Sequence, residues 1–343
     1  MGIELKSREE KILKWLIRDH AISGQPIGSP RLVEMDFFRV SSATIRNVLH
    51  GLEIGGYLLQ PHTSSGRIPT EKGYRYFVDR LMESKPLAES VVKDYESGIS
   101  KISLDLDTLI KSTAQFLGDV SHALILMSPP QQKAKRVESL ALHELDKSRI
   151  LLIVNTSFDQ VKTIAFEFES QLSRLILKEA EMILNDLFAG MDLDENSGLS
   201  RGEQIKKAKK NPVVRKIIDR FDRMMKVSDP LEYQVYGTHH LLHYQEMKDP
   251  RIMEYLLESL ETDDLQKQLP TPVMAGTPQV LIGKEHGVSG LSNFSFVSIA
   301  YEGENYTGDI HFIGPTRMAY EEVVSLAAFS ADKMKSIIQT EYK

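Results

Sequence analysis

The chain has 343 residues and a mass of 38.9 kDa, of which 41% are apolar and 26% charged, an ordinary globular balance with room for two or three domains. It contains 0 Cys, which excludes disulfides, thiolate metal sites and a cysteine nucleophile, and fits a reducing cytosol. The formal net charge of −6 excludes a general polycation, yet residues 1–85 carry 13 Lys and Arg against 10 Asp and Glu, a net of +3 that leaves −9 on the remainder. A mildly basic head on an acidic body suits a DNA-binding module joined to a regulatory or assembly region.

The opening MGIELKSREEKILKWLIRDH is amphipathic and lacks the apolar stretch of a secretory signal. No apolar run approaches the ~20 residues needed to cross a bilayer, so no membrane partner is expected. Ser7 and Glu10 form a capping box for a first helix, which buries Ile12, Leu13, Leu16 and Ile17 and ends near His20. Ser29-Pro30 starts a short second helix with Leu32 and Val33 inward. A third helix starts at Ser41 or Ser42 with a buried stripe of Ile45, Val48, Leu49 and Leu52, and Gly55-Gly56 stops it. Tyr57-Leu58-Leu59 reads as a strand, His62 to Pro69 as a turn-rich loop, and Ile68 as the start of a return strand. Thr70 caps a fourth helix whose stripe is Tyr74, Phe77, Val78, Leu81 and Met82. Lys85-Pro86 is the clearest linker of the first third.

Two further helices are predicted over 87–101 and 105–118. The period then changes. His122 to Met127 is a strand stopped by Pro129-Pro130, and Val137–Leu145, Arg149–Asn155 and Val161–Phe168 form a β-meander with tight turns. Helical patterning returns at 170–189, 201–226 and 249–261, and KKAKKN (206–211) reads as a solvated helix start or mobile loop, with a nucleic-acid patch as the alternative. Strands resume at 279–285, 294–302 and 307–314, and a helix over 319–340 closes the chain. Strands, helices and strands again indicate an α+β domain interrupted by an insertion.

The order helix, helix, helix, strand, loop is that of a winged helix-turn-helix. On the third helix, Arg46 can hydrogen-bond guanine or a phosphate, Asn47 can pair with adenine, and His50 extends the same face. Ser41, Ser42 and Thr44 suit phosphates near the helix N-terminus. In the loop, Arg67 suits a minor groove or the adjoining backbone, with His62, Thr63, Ser64 and Ser65 as short donors. The bland alternative for Arg46 is an ion pair with Glu53 or Asp36. No catalytic signature appears: Gly-x-Ser-x-Gly, the P-loop and Gly-x-Gly-x-x-Gly are all absent. HHLLH (239–243) would put His240 and His243 on one helical face. Zinc needs three or four ligands, and no Cys or Glu-x-x-His nearby completes a set, so no metal or other cofactor is expected.

The run SSATIRNVLHGLEIGGYLLQPHTSSGRIPTEKGYRYFVDRLM (41–82), PIGSPRL (26–32), IGKEHG (282–287) and GPTRMAY (314–320) resemble the heat-inducible transcription repressor family HrcA. The motifs bracket almost the whole chain in the family's order, and the run departs from the commonest pattern at Val48-Leu49-His50. The resemblance implies a dimeric repressor of chaperone operons that binds an inverted repeat in double-stranded DNA and is supported by a GroEL-type chaperonin. It implies a winged-helix domain (1–85), a GAF-like domain in two parts (86–156 and 246–343), and a dimerisation domain inserted at 157–245. Carried onto this chain, SSATIRN is the recognition helix and HTSSGRIPT the wing. A homodimer also follows from readout, because one recognition helix covers too few bases for genomic specificity. Leu172, Leu175, Ile176, Ile183, Leu184, Leu187 and Phe188 are candidates for its interface, with the domain's own core as the alternative for most of them. The alternative is a winged-helix repressor controlled by a small ligand in the GAF-like domain.

Overall fold

The computed structural model describes residues 5–34, 41–62, 65–83, 85–99, 105–132, 137–156, 160–191, 202–226 and 233–341. Helix α1 (Ser7–Ser23) starts one residue earlier than the expected box. The Glu9 carboxylate accepts the Lys6 backbone N–H at 2.8 Å, and Glu10 instead accepts from the Tyr76 hydroxyl at 2.8 Å. The helix also runs past His20, which is buried with its Nδ1 2.7 Å from the Tyr74 hydroxyl, and stops at left-handed Gly24. Helix α2 (Ser29–Glu34) buries Leu32 but leaves Val33 40% exposed, because adjacent helical residues point about 100° apart and a short helix has one covered side.

Helix α3 (Ser42–Ile54) is capped by Ser41 and buries Ile45, Leu49 and Leu52. Strands β1 (Leu58–Leu59) and β2 (Ile68–Pro69) form an antiparallel ribbon. Ile27 adds a bridge to Arg67, with both backbone hydrogen bonds at 2.9 Å. Helix α4 (Glu71–Tyr76) is capped by Thr70 and continues through a π turn at Phe77–Leu81. Tyr74 and Phe77 are buried, and Val78, Leu81 and Met82 pack on the same core.

The head is not a bead on the expected linker. Leu13, Leu49 and Tyr74 belong to one apolar cluster with Tyr320 and Leu326 near the end of the chain. Arg18 donates twice to Glu321, at 3.0 and 2.8 Å, Arg75 pairs with Glu285, and Arg317 pairs with Glu246 beside Gly24. His20 lies within this junction. Burial, with Arg317 nearby, pushes its pKa down to about 4.

The body continues with α5 (Glu89–Ile99), α6 (Leu106–Ser121), β3 (Leu124–Met127) and β4 (Gln131–Gln132). The meander follows as β5 (Val137–Glu144), β6 (Arg149–Thr156) and β7 (Gln160–Glu167), and then α7 (Arg174–Phe188), α8 (Gly202–Ala208) and α9 (Pro212–Lys226). Next come β8 (Gln234–Tyr236), α10 (Thr238–Leu241), α11 (Pro250–Glu261), α12 (Asp264–Lys267), β9 (Gln279–Ile282), β10 (Phe294–Glu302), β11 (Tyr306–Pro315) and α13 (Tyr320–Glu341). The main sheet is antiparallel in the order β8-β3-β11-β10-β9, with β4 paired to the start of β11. Alternation splits its side chains. Ile125, Met127, Val297, Ile299 and Phe312 face the core shared with α6, α13 and the head, while Leu124, Leu126, Phe294, Phe296 and Ile313 face residues of α10, α11 and α12. The architecture is α+β, as expected.

The insertion needs a different boundary. Strands β5, β6 and β7 form their own sheet, and residues from Val137 to Phe221 on this sheet and α7–α9 share a separate core. The expected division at 156/157 falls between β6 and β7, which are paired from Arg149↔Glu167 to Thr156↔Gln160. The meander therefore goes with the helices that follow it. The continuous backbone pairing of β6 with β7 keeps both strands in one unit. Leu177, Leu184, Leu187 and Phe188 are buried in that core, so Leu184, Leu187 and Phe188 take the core placement that the sequence leaves open beside the interface one.

Candidate nucleic-acid interface

The polar side of α3 follows from its stripe. With Ile45, Leu49 and Leu52 sealed against α1 and the ribbon, the helical repeat turns Ala43, Arg46, Asn47, His50, Gly51 and Ile54 to the outside. The Ser41 hydroxyl accepts the Thr44 backbone N–H at 3.2 Å and lies 3.0 Å from the Thr44 hydroxyl. It caps the helix end that would meet a phosphate, and Ser42 and Thr44 are half-buried beside it. Arg46 Nε donates to the buried Ser29 hydroxyl on α2 at 3.2 Å. Its guanidinium is thus aimed by the neighbouring helix rather than tied to Glu53, one of the two ion-pair partners that the sequence allows; the other, Asp36, lies outside the described residues. His50 Nδ1 lies 3.9 Å from Glu53 Oε2 in a largely exposed setting.

Sequence reasoning misses three contributors. Ala43 and Gly51 are exposed small residues on the same face, where they leave room for close approach. Ser29 orients Arg46 as well as starting α2. The exposed arc of the stripe is a signal that identifies Ala43 and Gly51, whereas no local signal links Ser29 to Arg46.

The ribbon tip departs from expectation. Arg67 is not a free arginine at the end of a loop. Its side chain is 18% exposed, and its Nε and Nη2 both lie 3.1 Å from Glu53 Oε2 on α3. The bridge to Ile27 leaves Arg67 little freedom to swing away, and the tight backbone there requires Gly66, whose added Cβ would lie 2.4 Å from the Ile27 carbonyl carbon. Ser65 is committed to the turn. Its Oγ accepts the His62 N–H at 2.9 Å and donates to the His62 carbonyl at 2.7 Å. His62 is exposed at the tip. Thr63 and Ser64 lie outside the described residues. The structure thus brings Ser41, Ser42, Thr44, Arg46, Asn47 and His50 together on one helix, and fixes the ribbon to that helix through Arg67–Glu53.

Comparison with known proteins supplies the lineage. A family model described as the HrcA protein C terminal domain matches residues 107–324, well over half of the chain. A heat-inducible transcription repressor HrcA of Lachnoclostridium phytofermentans is 33% identical over 94% of this chain and 94% of its own length. The protein of the same name from Chlorobium chlorochromatii is 32% identical over 98% of each. The chain belongs to the HrcA family. It is therefore a transcription repressor and not an enzyme. The HrcA family model begins at residue 107, beyond α3 and the ribbon, but the HrcA relatives align through the head as well. A solved structure described as a hypothetical protein superposes with a TM-score of 0.61 at 21% identity, covering 98% of this chain and 100% of that one, which shows a shared fold. Among the described residues no helix is long and apolar enough to cross a membrane.

Proposed function

We propose that this HrcA-family repressor reads an inverted-repeat operator of chaperone genes in double-stranded DNA as a homodimer, with the first three helices and the ribbon acting as a winged helix-turn-helix. The observation that carries the reading is the exposed arc of α3, where Arg46, Asn47 and His50 stand beside the small residues Ala43 and Gly51 while the opposite side is sealed. A helix of this kind fits a major groove, where arginine recognises guanine and asparagine adenine. The capped N-terminus offers backbone N–H groups to a phosphate. Arg67 in this reading holds the wing against the recognition helix, and His62 at the tip is left to meet the backbone.

The body is a GAF-like domain in two parts, and self-association falls to the inserted unit. There Leu175 and Met182 on α7 are 79% and 70% exposed, and Val161 on β7 is 57% exposed. Leu175 and Met182, seven residues apart on α7, share one face of the helix, and such exposed apolar side chains suit an interface between copies. A GroEL-type chaperonin, as the family resemblance implies, supports the repressing state in the bacterial cytoplasm. A second reading, control by a small ligand, is favoured by a cavity of about 480 Å³ between the main sheet and α13, lined by Tyr301, Glu302, Asp332 and Lys335 among others. That volume accommodates a metabolite.

The test is a gel shift with a duplex carrying the inverted repeat ahead of a chaperone operon, against a scrambled duplex of equal length and charge. The expected result is a preference of about 10³-fold or more for the repeat. Equal affinity for the two duplexes would end the reading. A compound that co-purifies, raises the melting temperature and changes operator affinity would favour the ligand-controlled version.

A further inference from the structure

We propose that Asp119, His239 and His240 form a binding site for one borderline-soft divalent transition ion, of the Zn²⁺ or Co²⁺ type. The carboxylate and the two imidazoles each offer a donor atom, and these three atoms lie within 4.8 Å of one another. Among the described residues no other group of three such side chains converges in this way. Asp119 comes from the last turn of α6, and the histidines come from α10, so the set is assembled across about a third of the chain.

The surroundings hold these groups in place. Tyr236 donates its hydroxyl to Asp119 Oδ1 at 3.0 Å, and His240 Nε2 lies 3.2 Å from the same oxygen. The rings of His239 and His240 are 4.0 Å apart, and the ring of His122 is 5.4 Å from that of His240. Two glycines allow the approach. A Cβ on Gly118 would meet the Tyr236 ring at 2.6 Å, and one on left-handed Gly237 would meet the Ala123 carbonyl at 2.3 Å. An ion pair links His240 to Asp119, and His239 is held by ring contacts, edge-on to Tyr236 at 5.6 Å and against its neighbour His240 at 4.0 Å.

The chemistry selects the ion. Tetrahedral zinc with nitrogen and oxygen ligands at about 2.0–2.1 Å requires donors about 3.3 Å apart, so closing from 4.8 Å takes only small side-chain rotations. Imidazole donors favour Zn²⁺, Co²⁺ and Ni²⁺ over Mg²⁺ and Ca²⁺. The neutral imidazole is the metal-binding form. Three protein ligands leave room for water or another group. A metal here would tie α6 to the corner between β8 and α10, where the chain rejoins the main sheet after the inserted unit.

The test uses the full chain, free of any histidine tag and stripped with a chelator, titrated with Co²⁺ and then Zn²⁺. The expected result is saturation of the visible cobalt absorption near one equivalent, its displacement by Zn²⁺, and a higher melting temperature with metal. His239→Ala should weaken Co²⁺ at least about tenfold, as should Asp119→Asn, while His243→Ala and His143→Ala should bind as the unaltered chain does. His239 is exposed, so its variant remains informative if substitutions at His240 disturb folding. Absence of cobalt absorption at stoichiometric metal, or binding that survives His239→Ala combined with His240→Ala, overturns the proposal.

Discussion

Replacing Arg67 with Ala should damage the stability of the head more than its electrostatic attraction to DNA. The guanidinium approaches one Glu53 oxygen through two nitrogens, each at 3.1 Å, and the two side chains are 18% and 30% exposed. At an effective dielectric of ~20 such a pair is worth about 5 kcal/mol of Coulomb energy before desolvation. Partial exposure and the cost of removing both groups from water reduce the net to about 1–3 kcal/mol, between the values for exposed and buried pairs. The expected result is a loss of that size in unfolding free energy, and a coupling of about 1–2 kcal/mol in a double-mutant cycle with Glu53→Ala. DNA binding should weaken through the loosened ribbon. The slope of log affinity against log salt should stay unchanged, because a guanidinium held by a carboxylate neutralises no phosphate. Removing a cation that does neutralise a phosphate would flatten that slope by about 0.9. The assays are chemical denaturation and operator titration at salt concentrations from about 50 to 200 mM. An Arg67→Ala chain as stable as the original, with a slope flattened by about one phosphate, would refute the reasoning and return Arg67 to the DNA surface.

Arg46→Ala and Asn47→Ala should each cost about 1–3 kcal/mol of operator affinity and relax preference at a single base pair, with the unfolding midpoint nearly unchanged; competition with single-base operator variants checks this. Gly66→Ala should destabilise the head by about 1–3 kcal/mol, since a methyl group cannot fit 2.4 Å from the Ile27 backbone without moving the ribbon; thermal melting measures it. Acid should weaken the fold through buried histidines. Burial holds His20 at about 4, beneath its ordinary 6.5, so the unfolded chain takes up a proton that the folded chain refuses. The stability linked to His20 is complete above about pH 6.5 and declines toward pH 4, at no more than about 1.4 kcal/mol per pH unit. His20→Gln should lower the slope of stability against pH across that window by about one proton. An unchanged slope would show that His20 does not carry the effect. His311, buried beside Ser298 and held at about 3, contributes in the same direction.

Much of the frame is legible in the sequence because it depends on near neighbours in the chain. The Ser41 cap, the stripe Ile45–Leu49–Leu52, the Thr70 cap and the three meander strands each follow from spacing and from hydrogen bonds a few residues apart. The exposed placement of Arg46, Asn47 and His50 follows from the same helical repeat. What tertiary structure decided is which partner each charged or polar group meets. Glu53 could have taken Arg46 from the same helix, but the ribbon folds over α3 and delivers Arg67 instead. The pairing of β6 with β7 assigns the meander to the inserted unit, and a core shared with α13 binds the head to the body across what reads as a linker. His239 and His240 lack a third ligand within reach of any sequence motif, and Asp119 arrives only when β8 folds back against α6. Periodicity and capping are written in a few successive residues. Ion pairs, ligand sets and domain limits depend on contacts between distant ones, and there the sequence offers many candidate partners among which only packing chooses.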